Sequence, residues 1–246
     1  MSGHSKWANI KNKKAKTDAA KGKIFTKLGR ELAVAAKAGA DPSTNSKLAD
    51  VIAKAKAANM PNDNITRSIK KAAGELGSVN YEVKIYEGYG IGGSAVIVKT
   101  LTDNVNRTVG EVRHIFDKYA GNMGTTGSVS YMIENRGVII VERTLDLDED
   151  AMMEMALEAG ADDVITEDDC FEVRTQPSEF SAVRKYFEEK GITLLEADIM
   201  MVPNDKITLN ADQLVSFNKM LDAFEDNDDV QNVYHNVELP EEEDED

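Results

Sequence analysis

The stretch Val79-Asn-Tyr-Glu-Val-Lys-Ile-Tyr-Glu-Gly-Tyr-Gly-Ile-Gly-Gly-Ser-Ala-Val-Ile-Val-Lys-Thr-Leu-Thr102 divides the chain into two kinds of periodicity. Before it, apolar residues recur every three to four positions. Within it, Tyr81–Glu87 and Ser94–Thr102 alternate as strands do, and Gly88, Gly90, Gly92 and Gly93 supply the turn between them. Gly88-x-Gly90-x-x-Gly93 matches a dinucleotide-binding fingerprint on paper. That motif needs its last glycines to open a helix, and here they lead into Ala95-Val-Ile-Val, so a glycine-rich hairpin turn is predicted.

Upstream, Ile24/Phe25, Leu28, Leu32 and Ala35/Ala36 predict a helix over 24–38, ended by Gly39. Asp41-Pro42 predicts the start of a second helix, with an N-cap acceptor followed by Pro, and Asn59-Met60-Pro61 its end. Ile65, Ile69 and Ala72/Ala73 mark a third helix over 62–73. Residues 1–23 carry only Trp7 and Ile10 as large apolar groups and read as a basic arm or a marginal helix. Downstream, a helix over 104–119, a glycine-rich loop at 121–127 and a strand over Ser128–Ile133 are predicted. Residues 137–203 then give the order βαββαβ of a ferredoxin-like unit: Val138–Val141, a helix over 148–158, Val164-Ile165, Phe171–Thr175, a helix over 178–189 and Leu194–Val202. A last helix over 210–224 and a strand over Val230–Tyr234 precede the acidic tail. The predicted fold class is α+β, with an N-terminal helical domain followed by two α+β domains. The expected division is 1–78, a discontinuous domain of 79–136 and 204–246, and an inserted domain of 137–203.

Charge is distributed unevenly. The 246 residues have a formal net charge of -15, yet residues 1–75 hold 16 Lys+Arg against 6 Asp+Glu, a net of +10, and residues 76–246 a net of -25. Such a reversal predicts two parts with different partners, the basic one facing a polyanion. Lys6, Lys11, Lys13, Lys14, Lys16, Lys21, Lys23, Lys27 and Arg30 lie close together with only Asp18 against them, and Trp7 adds a flat ring on which a base can stack. An ordinary solvated face, and a packing role for Trp7, are the competing readings. Asn106 and Arg107 follow Asp103-Asn104 at a helix start; an external anion would explain an Arg beside the positive helix end, and capping explains the rest. Gly121–Ser128 reads either as a nest of backbone N–H groups for phosphate or as a plain loop.

Other chemistry is not indicated. His4, His114 and His235 have no His or Cys partner at ligand spacing, and neither a phosphate loop nor a nucleophile elbow is present, so no catalytic residue, metal or nucleotide cofactor is expected. The carboxylates of 222–229 and 241–246 read as a solvated acidic face. Cys170, the single cysteine, excludes an intramolecular disulfide, suits a reducing compartment and reads as a small hydrophobe at a strand start. No apolar run approaches the roughly 20 residues of a membrane helix, and no secretory signal follows the N-terminal lysines.

The opening Ser2-Gly-His-Ser-Lys-Trp-Ala-Asn-Ile-Lys-Asn-Lys-Lys-Ala-Lys-Thr-Asp18 resembles the N-terminal signature of the YebC/PmpR family, whose mitochondrial relative is the translational activator of cytochrome c oxidase. Asn59-Met-Pro-Asn-Asp-Asn-Ile, Tyr86-Glu-Gly-Tyr-Gly, Leu101-Thr-Asp-Asn-Val-Asn-Arg-Thr and Gly127-Ser-Val agree as well. One departure is Ile91, where members usually have Pro. The resemblance implies three domains, helical first and then two α+β. It also implies a non-enzymatic regulator of gene expression without well-defined catalytic residues. Members are described as transcriptional regulators that bind DNA, the first reading for this chain, and others as translation factors on the ribosome, the alternative. Expected partners are therefore DNA or ribosomal RNA and the ribosome, with no membrane and no small-molecule substrate. A match beginning at residue 2 predicts a bacterial, cytoplasmic member without a cleaved presequence.

Overall fold

The computed structural model describes residues 18–72, 80–144 and 147–240. Its helices begin with α1 (Asp18–Ala36), α2 (Ser46–Ala57) and α3 (Asn62–Ala72). Leu28, Leu32, Ala35, Leu48, Ala55 and Ile65 form their common core. Helix α1 begins six residues before the predicted start, so the residues from Asp18 belong to helix rather than to an arm. Ala and Lys are good helix formers, and they extend the helix beyond its apolar stripe. The predicted cap of α2 is also corrected. Asp41 closes a local turn by accepting from Ser43 N and Oγ at 2.9 and 2.7 Å. Asn45 caps α2 instead: its Oδ1 accepts from Leu48 N at 3.1 Å, while its Nδ2 donates to the carbonyls of Ala35 and Gly39 at the end of α1. One amide thereby joins the end of one helix to the start of the next.

The first sheet contains β1 (Glu82–Tyr89), β2 (Ala95–Thr102), β3 (Asn122–Met123) and β8 (Val230–His235), in the order β3-β1-β2-β8, all antiparallel. The β1–β2 turn is a short 3-10 segment with positive φ at Gly92 and Gly93 (69° and 76°), so the glycine run forms a hairpin and not a helix-opening phosphate loop. Ile91 packs on the core of this sheet. Helix α4 (Val105–Lys118) and α7 (Ala211–Asp226) cover one sheet face, burying Val96, Val98, Phe116, Phe217 and Phe224.

The second sheet has the order β5-β6-β4-β7, from β4 (Ile133–Glu142), β5 (Asp163–Thr166), β6 (Cys170–Thr175) and β7 (Leu194–Pro203). Helices α5 (Glu149–Ala159) and α6 (Phe180–Glu189) pack on one face against Ile139, Phe171 and Val173. Cys170 is buried on the opposite face with Val138, Ile140 and Leu195. The predicted strand over Ser128–Ile133 is not present. Ser130–Met132 is a 3-10 turn, and β4 runs unbroken from Ile133, paired with Pro203. Gly137, expected just before the strand Val138–Val141, is a close-packing position within β4: a Cβ there would clash with Thr175 Oγ1 and lie 2.9 Å from Phe180. We infer that the inserted unit runs from Ile133 to Pro203.

Glu87 fastens the connection between the two sheets. It is 5% exposed, and its carboxylate accepts from the backbone N–H groups of Gly127, Val129 and Ser130 at 2.9 to 3.0 Å. Burial pushes its pKa up, but these N–H groups outweigh burial and hold it below the ordinary glutamate value. Unfolded glutamates titrate at about pH 4, so this contribution to stability is full above that pH and is lost as pH falls through the lower folded value. The thermal midpoint is therefore expected to fall on acidification, and Glu87→Gln to show a lower midpoint at neutral pH with a shallower acid dependence. Parallel pH profiles for the two proteins would rule out this role.

Candidate nucleic-acid interface

Lys6, Trp7, Lys11, Lys13, Lys14 and Lys16 lie outside the described residues. Of the other candidates, Lys23, Lys27 and Arg30 recur at i, i+4 and i+7 on α1, a spacing that places them on one helix face. That face meets the end of α7 and the turn after it. Lys23 Nζ pairs with Asp226 at 2.6 Å, both side chains being well exposed. Lys27 Nζ donates to the Glu225 carbonyl at 3.3 Å, and burial pushes its pKa down. Arg30 donates to the carbonyls of Leu101 and Asp228 at 3.1 and 2.7 Å and to Asp229 Oδ1 at 2.8 Å. Lys21 is exposed near the start of the same helix.

The second group sits at the start of α4. Asn104 caps the helix by accepting from Arg107 N at 3.1 Å, and Asn106 is exposed in the first turn. The anion that Arg107 requires is internal: its Nη2 donates to Asp229 Oδ2 at 2.6 Å and to Asp103 at 3.0 Å. Asp229 also accepts from Thr102 Oγ1 at 3.1 Å and Thr108 Oγ1 at 2.7 Å. Burial pushes the Asp229 pKa up, but Arg107, Thr108, Arg30 and Thr102 together hold it below the usual aspartate value. At 3% exposure Asp229 is not part of the solvated acidic face expected for 222–229. The structure thus brings Arg30 and Arg107 together on a buried carboxylate that sequence reasoning missed. Its only signal was a position at the end of an acidic run, directly before a strand. In the loop Gly121–Ser128, read either as a nest for phosphate or as a plain loop, the N–H of Gly127 is taken by a carboxylate of the chain itself, that of Glu87, together with those of Val129 and Ser130 just beyond it.

Arg30, Arg107, Asp103, Glu111 and residues 226–229 line an open depression. Its mixture of guanidinium and carboxylate groups offers no nucleophile–base pair, and no cluster of three or more metal-binding side chains occurs among the described residues. His114 is exposed on α4, and His235 packs edge-on against Phe217, so the two are not gathered at a site. No described helix is long and apolar enough to cross a membrane.

The two ends of this contact differ in strength. Asp229→Ala leaves two guanidinium groups facing a cavity and should cost about 3 kcal/mol. Asp226→Asn removes an exposed pair and should cost less than about 1 kcal/mol. Urea denaturation of both variants measures the difference; equal losses would contradict the assignment of Asp229 as the main contact.

Comparison with known proteins agrees with this architecture. The family model described as the TACO1/YebC N-terminal domain matches residues 5–75, and that described as the TACO1/YebC second and third domain matches residues 81–237. A protein of Acetivibrio thermocellus named "probable transcriptional regulatory protein" is 60% identical over 96% of this chain and 98% of its own length. A Clostridium novyi protein of the same description is 57% identical over 98% of this chain and 99% of its own. The crystal structure of a conserved hypothetical protein from Aquifex aeolicus superposes with a TM-score of 0.81 at 43% identity, covering 93% of this chain and 94% of that one. From its helical region to its last strand, the chain belongs to the TACO1/YebC family.

Proposed function

We propose that the chain is a non-catalytic regulator of gene expression that binds nucleic acid through residues 1–75. The observation that carries this reading is the charge division, +10 over residues 1–75 against -25 over the remainder. Phosphate contacts by Lys and Arg supply most of the affinity of such proteins for nucleic acid. The names of the relatives support a role in transcription. No membrane, small-molecule substrate, metal or nucleotide cofactor belongs to this reading.

One observation favours structured RNA, as on the ribosome, as the preferred polyanion. Reading duplex sequence relies on Arg, Asn or Gln presented to base edges. Arg30 and Arg107 both donate to Asp229. Most of the other cations in residues 1–75 are lysines, which contact phosphates without reading sequence. If the arm engages about six phosphates, log K falls with log salt at a slope near -5, and reversing the charge of Lys11, Lys13, Lys14 and Lys16 in the full chain flattens it. An unchanged slope would remove the arm from the binding surface. In competition, ribosomes should displace a labelled DNA fragment more effectively than any promoter does. A single promoter outcompeting random duplex by about a thousandfold, as specific sites do, would make the chain a sequence-specific DNA-binding protein instead.

A further inference from the structure

The cations of the helical region differ in what they face. Lys23, Lys27 and Arg30 meet residues 225–229. Lys37 donates to Asn80 at 2.6 Å. Lys54 is enclosed between Glu31 and Asp198, at 3.3 and 2.5 Å. Burial opposes its charge, but the two carboxylates outweigh burial and hold it protonated. These groups can reach an external phosphate only by leaving internal partners.

Helix α3 is different. Ile65 is buried and Ile69 half-buried against the other helices, whereas Thr66, Arg67, Lys70 and Lys71 are exposed on the opposite side. Gly29 marks the packed side: a Cβ there would lie 3.2 Å from Ser68 Oγ. Arg67, Lys70 and Lys71 occupy i, i+3 and i+4, the spacing of neighbouring side chains along one helix face. None of them makes an ion pair with another described residue, Asp63 one turn earlier included. Cations at a helix C-terminus are favoured by the helix dipole, which accounts for Lys70 and Lys71 in the last turn but not for Arg67.

We propose that the outer face of α3 is a phosphate-binding surface for nucleic acid, with Arg67, Lys70 and Lys71 as its contacts and the Thr66 hydroxyl as a further donor. The proposal rests on the reading of residues 1–75 as the nucleic-acid-binding region and names the part of it that lies outside the arm. Arg67 supplies a planar fork that matches two phosphate oxygens, and the two lysines supply adaptable charges beside it. With no ion pair to another described residue to displace, each cation that meets a phosphate contributes its full share to the salt dependence. Lys23 contributes less, because the carboxylate released from it must take up a counterion.

The test uses the full chain and two probes, a fluorescein-labelled 20-nucleotide RNA of mixed sequence and a duplex DNA of the same length. Binding is measured by anisotropy across a salt series. Arg67→Glu/Lys70→Glu/Lys71→Glu should lower RNA affinity by about tenfold or more near physiological salt and reduce the log–log slope by about two to three. Lys23→Glu should reduce the slope by less than one. Circular dichroism checks the fold; if the reversed-charge variant fails to fold, the triple Gln variant should shift the slope in the same direction. A wild-type slope in the folded triple variant overturns the proposal. If the arm variant at Lys11, Lys13, Lys14 and Lys16 loses binding at the same time, the functional reading survives that loss. Absence of binding by the wild-type chain to both probes overturns both. Displacement of RNA by poly-glutamate at equal charge concentration would make the face a general acceptor of acidic chains and would also overturn the assignment.

Discussion

Asp229 is the group on which the placement of the helical region depends. Its carboxylate receives Arg30 from α1, Arg107 from α4 and the hydroxyls of Thr102 and Thr108, and the backbone carbonyl beside it accepts from Leu101 N at 2.8 Å. A charge removed from water in this way is tolerated only because its acceptor positions are filled by donors, two of them cationic. The pairs around it are graded. Lys23 and Asp226 lie at the exposed rim, where water and salt compete; Arg30 and Asp229 lie inside, where they do not. On the other side of α1 and α2, Lys54 between Glu31 and Asp198 and the 3.0 Å pair of Arg184 with Asp50 fix the helical region to the second sheet. The described helices of the basic region therefore sit on the acidic body through matched charges and share a small apolar core of their own.

Two places that resemble anion sites are filled by the chain itself. The loop at 124–130 directs three N–H groups at Glu87, and the first turn of α4 with its arginine is turned toward Asp229. Both are folding contacts that borrow the geometry of phosphate recognition. The cations that face only solvent are the ones left to meet a partner.

Much of the fold was legible in the sequence because it follows from periodicity. The change from helical to alternating spacing at residue 79, the order βαββαβ, and the last helix and strand can all be read from apolar residues. Errors arose where one residue type serves two purposes. Gly137 reads as the residue before a strand and instead lies within β4, where it makes room for Phe180 and Thr175. Asp41-Pro42 reads as a helix start, although Asn45 has the better position because its amide also reaches the end of α1. Asp18 to Lys23 lack an apolar stripe but keep helix propensity. The candidate site was less legible, since an exposed Lys and a paired Lys look alike in sequence, and their partners lie some 200 positions away, as with Lys23 and Asp226.

The pairing of β2 with β8 has a consequence for how the chain is made. The first sheet is begun by residues 82–102 and completed by residues 230–235, after the whole second sheet has been synthesised. Until then β2 presents an open edge, and Arg30 and Arg107 have no Asp229. A ribosome adds about 5 to 20 residues per second, so this interval lasts for several seconds. During it the nascent chain combines a strand edge open to pairing with a basic helix able to engage whatever polyanion is nearest. The helical region thus carries more unpaired cations while still attached to the machine that makes it than after folding, because Lys23 and Arg30 gain Asp226 and Asp229 only when the end of the chain is in place.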